Sequence, residues 1–334
     1  MFQKDTKISV LGDGGWGTTL ALVLAGQGRK IHLWGNFAPY IVEVAKSREN
    51  TKFLPGFKIP ELVVLTSDLK EACAADLIVV AAPSQYVRSV VKKIGPQMAK
   101  GKSFVSVAKG IETKTLKVMS QVFREELGKV DLCVLSGPSI AREVAQKMPV
   151  AVSVASQNKK LSSRVRQIFT NDYFSLFESS DVLGVELGGS LKNVIAISAG
   201  IVQGLGYGSN TRAALLARGV AEMARLGQAM GAQRETFMGL SGLGDLATTC
   251  LSPHSRNRWL GEEIGKGKSL ETVLKETEMV VEGVDTCLSA YQLSKKFKVA
   301  MPITKAVHSI LFLKKEPREA VKALMQREPH RELD

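Results

Sequence analysis

Short, unbroken apolar runs separated by helical patterns fill the first half of the chain. KISVLG at 7–12 reads as a buried strand, TTLALVLAGQG at 18–28 as a helix closed by Gly28, and KIHLWG at 30–35 as a second strand. Further strands are predicted at 62–66 (LVVLT), 77–83 (LIVVAAP), 103–110 (SFVSVAKG), 132–138 (LCVLSGP), 150–156 (VAVSVAS) and 173–179 (YFSLFES). Strands that are apolar throughout, with helices between them, predict a parallel sheet covered on both faces. That is a doubly wound α/β domain. Past about Ser180 the strand-like runs almost vanish, and helical periodicity continues to EAVKALMQ near the end. Residues 181–206 are mostly apolar, with only Asp181, Glu186 and Lys192 charged. A helix apolar nearly all round belongs in the middle of a domain. The boundary is expected at 180–190, giving an α/β domain over 1–185 and an all-helical domain over 186–334.

Composition narrows the class without changing this picture. The 334 residues suit two domains, and 45% hydrophobic with 23% charged residues is an ordinary globular balance. Lys and Arg number 45 against 32 acids, a net charge of +13. The basic residues are spread along the whole chain, without a Lys/Arg block or interleaved aromatics. This predicts attraction for small anions and argues against nucleic acid. The N-terminus MFQKDTKISV lacks the apolar run of a signal peptide, and stretches such as 77–83 are too short to cross a bilayer, so membrane insertion is not expected. Cys73, Cys133, Cys250 and Cys287 form no CxxC pair, and His32, His254, His308 and His330 are equally scattered. Neither a metal site nor a disulfide framework is suggested; the cysteines read as buried thiols, His254 as structural, and the compartment as cytoplasmic.

Chemistry first enters at GDGGWG. Gly12-x-Gly14-x-x-Gly17 follows a predicted strand and opens a helix, the context in which this spacing binds a dinucleotide. Gly12 permits the tight turn, Gly14 lets backbone reach the pyrophosphate, and Gly17 allows close packing of helix on strand in a Rossmann-type unit. The helix start near Gly15 adds N–H donors and a positive dipole. A flexible turn at a βα junction is the plainer reading. The second strand ends at Asn36, where an acidic residue would select NAD. Without that carboxylate both NAD and NADP are expected to bind, with a slight preference for NADP to which Arg29, Lys30 or Arg48 would contribute.

Four further stretches carry charge in suggestive settings. Lys192 sits alone in an apolar helix behind Gly188 and Gly189. A lysine desolvated there becomes a usable acid or base, whereas one at the helix surface would merely snorkel. Lys109 and the SGPS segment (136–139) follow strand ends, where ligands bind in open α/β sheets. Asp245 lies in the glycine-rich GLGDLATTC, suited either to orienting an ammonium or to capping a helix. The helix opened by Ser255 with Arg256 beside it would grip a phosphate, or is simply a capped surface helix.

Together GDGGWGTTLA, LWG, FLPG, AKGIE, SGPS, GVELGGSLKNVIAISAG, GLGDLATTC, SRNR and VVEGV, in that order, resemble the bacterial-type NAD(P)-dependent sn-glycerol-3-phosphate dehydrogenases over nearly the whole chain. The resemblance implies a triose phosphate substrate, supply of glycerol phosphate for phospholipids, and Lys192 as the proton-transferring lysine. It implies substrate contacts at Lys109, Gly137, Ser139, Asp245, Ser255, Arg256 and Asn257. The cofactor would meet Gly15, Trp16, Asn36, Phe53, Lys109, Ala141, Arg256, Val280 and Glu282. Two positions depart from the family: Asn36 stands where Arg or His is frequent, and Asp13 where a small residue is usual. Asp13 is expected to point away from the pyrophosphate. Trp16 would pack near the cofactor or simply cover the helix start. A homodimer is the expected assembly. Two rival readings share parts of this pattern: a hydroxy-acid dehydrogenase of related fold, and a non-catalytic NADP-sensing module.

Overall fold

The computed structural model describes residues 6–326, so His330 lies outside the described residues. Met1–Ala108 and Met119–Val182 form one compact unit, and Lys109–Val118 with Leu183–Asp334 form the other.

The first unit is built on eight strands: β1 (Ile8–Leu11), β2 (Ile31–Trp34), β3 (Val63–Thr66), β4 (Leu77–Val80), β5 (Ser103–Ser106), β6 (Asp131–Ser136), β7 (Val150–Ala155) and β8 (Phe174–Ser179). Their order is β3-β2-β1-β4-β5-β6-β7-β8. Ile8 lies beside Ile31 on one side and Leu77 on the other. Every residue of β1 and β4 is buried, because cores lie on both faces of the sheet. One core holds Leu20, Leu24, Val165 and Phe169, and the other Val87, Val91, Phe104 and Phe123. From β1 the chain winds toward β3, and from β4 it winds the other way. The C-terminal ends of β1 and β4 therefore flank the switch point at which such sheets bind ligands.

The sheet is not parallel throughout, as the apolar runs predicted. β7 runs antiparallel to β6, pairing Val134 with Ala155, and β8 runs parallel to β7. The link after β6 carries only the five-residue helix Ala141–Ala145. That spans roughly 8 Å, against about 20 Å for a six-residue strand, so the chain turns back from the same end.

The second unit is helical around Val182–Gly204, in which every residue from Gly184 to Val202 is buried. This helix is long and apolar enough to cross a bilayer by length and composition, which no stretch was expected to be, yet its apolar window lies wholly inside the protein. Its second half is crossed by the helix Arg256–Gly265 at the distance of bare backbone. A Cβ on Gly200 would lie 1.9 Å from the Arg258 carbonyl oxygen, and one on Gly261 2.0 Å from that of Ile197. Gly200→Ala or Gly261→Ala should each cost on the order of 3 kcal/mol by forcing the helices apart. Urea unfolding would measure it, and an unchanged midpoint would contradict the packing.

Lys109–Val118 belongs to the helical unit, although sequence assigned it to the α/β domain. The β5 strand stops at Ser106, and Ile111 and Val118, joined by an isolated bridge, are buried with the helical core. Ser289 Oγ donates to the Ile111 carbonyl at 3.1 Å.

Candidate active site

The predicted residues fall into two groups, one in each unit. In the α/β unit the glycine loop follows β1. Gly12 has φ +124°, and a Cβ there would lie 2.7 Å from the Ala81 carbonyl carbon. A Cβ on Gly17 would lie 1.9 Å from Gly12 O. Both glycines are thus demanded by the protein's own packing. Gly14 is different: its φ is −65°, and nothing lies within 4 Å of where its Cβ would be. Neither strain nor crowding requires glycine there, whereas a pyrophosphate lying against the backbone would. The helix Gly15–Ala25 behind it has no side-chain N-cap and no acid in its first turn, leaving N–H donors and the positive dipole end for an anion. These residues fit a dinucleotide.

The neighbouring predictions gather around that helix start. A Cβ on Gly15 would meet Phe53 O at 2.6 Å and Ala141 Cβ at 3.9 Å. Thr19 Oγ1 donates to Ala141 O at 3.1 Å. Asn50, which sequence reasoning missed, ties the loops together: its Nδ2 donates to Asp13 O at 2.6 Å and to Thr18 Oγ1 at 2.7 Å, while its Oδ1 accepts from Tyr40 and from Phe53 N. The Trp16 ring packs 6.3 Å from Phe174, and its Nε1 is buried without a hydrogen-bond partner. Gly137 has φ +141°, and its carbonyl accepts from Ser139 Oγ at 2.8 Å. The cations invoked for NADP are not at the loop. Arg29 and Lys30 precede β2, roughly 13 Å of strand from its far end. Arg48 donates to the carbonyls of Ile59, Pro60 and Val63.

In the helical unit three predicted residues meet. Lys192 Nζ lies 2.9 Å from Asp245 Oδ1, and Lys109 Nζ 2.6 Å from Asp245 Oδ2. Lys192 is 7% exposed and Asp245 2%, so neither the snorkelling lysine nor a surface cap describes them. Asp245 opens the helix Asp245–Leu251 after a wide turn closed by Gly244 N donating to Gly239 O at 3.1 Å. Thr249, one turn later, donates to Asp245 O at 2.7 Å and accepts from Lys192 at 2.5 Å. Burial raises the Asp245 carboxyl, but the two ammoniums outweigh it and hold the group below its usual range. For Lys109 burial dominates: despite Asp245, and helped by the like charge of Lys192, it brings the ammonium down to about 8. Asp245 thus holds two ammonium groups, one on each carboxylate oxygen, in a dry site.

The 255–257 segment is joined to this cluster by amides. Asn193 Nδ2 donates to Lys109 O at 3.1 Å, and its Oδ1 accepts from Asn257 Nδ2 at 2.8 Å. Asn257 Oδ1 in turn accepts from Gly283 N at 2.9 Å. Beyond these bonds Asn257 keeps the second Nδ2 proton and its backbone N–H as donors. Ser255 Oγ accepts from Arg258 N at 3.2 Å, leaving the hydroxyl proton and the N–H groups of Arg256 and Asn257 as donors at the helix start. The exposed Arg256 donates through Nη1 to Val280 O at 2.7 Å, just ahead of the helix opened by Glu282. Arg258 is buried on Ser252 O, Gln203 and Glu262. Thr249 and Asn193 were missed by sequence reasoning; their only signals were an i+4 spacing from Asp245 and adjacency to Lys192. Among the described residues no group of three or more His, Cys, Asp or Glu could hold a metal, and all four cysteines are buried and free. His254 is exposed.

Residues 7–162 match the N-terminal and residues 181–322 the C-terminal part of the NAD-dependent glycerol-3-phosphate dehydrogenases. The chain belongs to that family. It is 49% identical to the glycerol-3-phosphate dehydrogenase (NAD(P)+) of Syntrophotalea carbinolica, covering 98% of this chain and 99% of that one. It is 51% identical to that of a Thermoanaerobacter species, again over 98% and 99%. The solved glycerol-3-phosphate dehydrogenase of Coxiella burnetii superposes with a TM-score of 0.94 at 37% identity, covering 97% of this chain and all of the other. A D-mandelate dehydrogenase, at 13% identity and a TM-score of 0.64, shares the fold alone. The family match thus sets the hydroxy-acid reading behind the phosphate one.

Proposed function

We propose that the protein interconverts dihydroxyacetone phosphate and sn-glycerol 3-phosphate, with NADH or NADPH as reductant. The observation that carries this reading is the buried Lys109–Asp245–Lys192 cluster, which sets two ammonium groups side by side. Bound nicotinamide dinucleotide supplies a hydride to C2 of the triose. The carbonyl π pair then becomes an alkoxide, which needs a nearby positive charge and a proton. Lys192 gives the proton to the C2 oxygen, and Lys109 polarises that carbonyl beforehand. Asp245 and Thr249 aim the Lys192 ammonium. The helix start at Ser255, Arg256 and Asn257 grips the phosphate, fixing the reacting carbon by its remote end. Gly137 and Ser139 supply further polar contacts in this reading, and Asn36, Phe53, Ala141, Val280 and Glu282 line the dinucleotide.

Purified protein should oxidise NADH or NADPH only when dihydroxyacetone phosphate is added. Silence with every phosphorylated triose would favour a sensing role instead. The family's chemistry supports a role in making the glycerol phosphate of phospholipids, in the cytoplasm. A homodimer is the assembly we infer, since closed twofold pairs are the commonest for such enzymes; light scattering would test it.

The reaction should also respond to pH with a predictable sign. The Lys109 amine titrates near 8 and is cationic below that value. The kcat/KM for reduction should therefore be flat below about pH 8 and fall above it, since this parameter reports the free enzyme. Lys109→Arg, permanently charged, should lose that alkaline limb. A limb that persists unchanged in the variant would assign it elsewhere.

A further inference from the structure

Asp13, between the first two fingerprint glycines, carries its carboxylate across from the end of β1 to the end of β2. A Cβ built on Gly35 would lie 2.6 Å from Asp13 Oδ2 and 2.7 Å from its Cγ. The carboxyl thus fills the space where a side chain at position 35, just past β2, would begin. From that strand end an acidic residue bonds the adenosine ribose 2′-hydroxyl in NAD-binding folds, or an Arg holds the 2′-phosphate of NADP. Gly35 has no side chain, and Asn36 brings a neutral amide and no charge of either sign. Asn50 donates to the backbone carbonyl of Asp13, not to its carboxylate. Among the described residues no cation pairs with that carboxylate and no other side chain bonds to it. Burial pushes the carboxyl up, as it does for a charge lacking a counter-ion. Such a group offers two acceptor oxygens, which a ribose diol satisfies and a 2′-phosphate repels.

We propose that Asp13 makes NAD(H) the preferred dinucleotide of this protein, by accepting the adenosine ribose hydroxyls and repelling a 2′-phosphate. The inference rests on the reading that the Gly12–Gly17 loop holds a dinucleotide. Lys93 is the counterweight: its Nζ donates to Asn36 Oδ1 at 3.1 Å, at the same strand end. A single exposed lysine there does not cancel a closer carboxylate, but it would favour a 2′-phosphate once the carboxylate is gone.

The test needs no turnover. NADH and NADPH are titrated separately into the full chain, following nicotinamide fluorescence, for the native protein and for Asp13→Asn. The native protein should bind NADH more tightly. Asp13→Asn keeps the size and the hydrogen bonding but not the charge, so its NADPH dissociation constant should fall on the order of tenfold. Its NADH constant should stay within about threefold. Asp13→Ser, run in parallel with thermal unfolding of both variants, guards against a disturbed loop. Native preference for NADPH, or a ratio of constants that neither variant moves, overturns the proposal alone. Failure of folded native protein to bind either dinucleotide overturns the dinucleotide reading, and the role of Asp13 with it.

Discussion

Replacing Lys192 by alanine should lower turnover by about two to four orders of magnitude, the usual contribution of a positioned acid or base, and leave dinucleotide affinity nearly unchanged. The separation follows from where the groups sit. Lys192 belongs to the helical unit, whereas the glycine loop belongs to the α/β unit. Removing the ammonium leaves Asp245 paired with Lys109 at 2.6 Å, so no charge is stranded and the fold survives. Steady-state rates with dihydroxyacetone phosphate, beside fluorescence titration of the dinucleotide, provide the check. Normal turnover in this variant would transfer the proton-donating role to Lys109, whose ammonium burial brings down to about 8.

The second large effect is on stability. Asp245→Ala takes the shared carboxylate from two neighbouring ammonium groups in a dry site and should cost about 3–5 kcal/mol at neutral pH. The deficit has a pH signature. Lys109 binds its proton less tightly in the folded protein, near 8, than the ordinary lysine value of 10.5. Without Asp245 that affinity drops further, since the carboxylate was raising it. The unfolded chain then holds more protons than the native one, so stability rises with pH through this window and is lost as pH falls. Urea unfolding at about pH 6.5 and about pH 9 should show the larger deficit at the lower value. Equal midpoints for variant and native protein at both would remove Asp245 from the role of shared counter-ion.

The sequence disclosed most readily whatever was locally abnormal. A lysine alone in nineteen buried positions, or four glycines crowded between a strand and a helix, violates its surroundings, and such violations point to chemistry. The residues that stayed hidden violate nothing. Thr249 is one threonine of a TTC run, and only its i+4 offset from Asp245 hints that the two share a helix face. Asn193 and Asn50 act by joining distant loops, which periodicity does not register. Strand direction was also illegible at β7, because a buried strand is apolar whichever way it runs. Arg29, Lys30 and Arg48 were near the loop in sequence alone. The first two stand at the wrong end of β2, and the third spends its donors on carbonyls.

The glycine-lined crossing of Val182–Gly204 by Arg256–Gly265 reaches beyond stability. Where backbone rests directly on backbone, no rotamer can take up slack. The span from the ammonium on one helix to the anion grip at the tip of the other is therefore a fixed gauge. In the proposed reaction that gauge matches the carbon chain between carbonyl and phosphate, and homologues one carbon shorter or longer should react more slowly without any wall to block them.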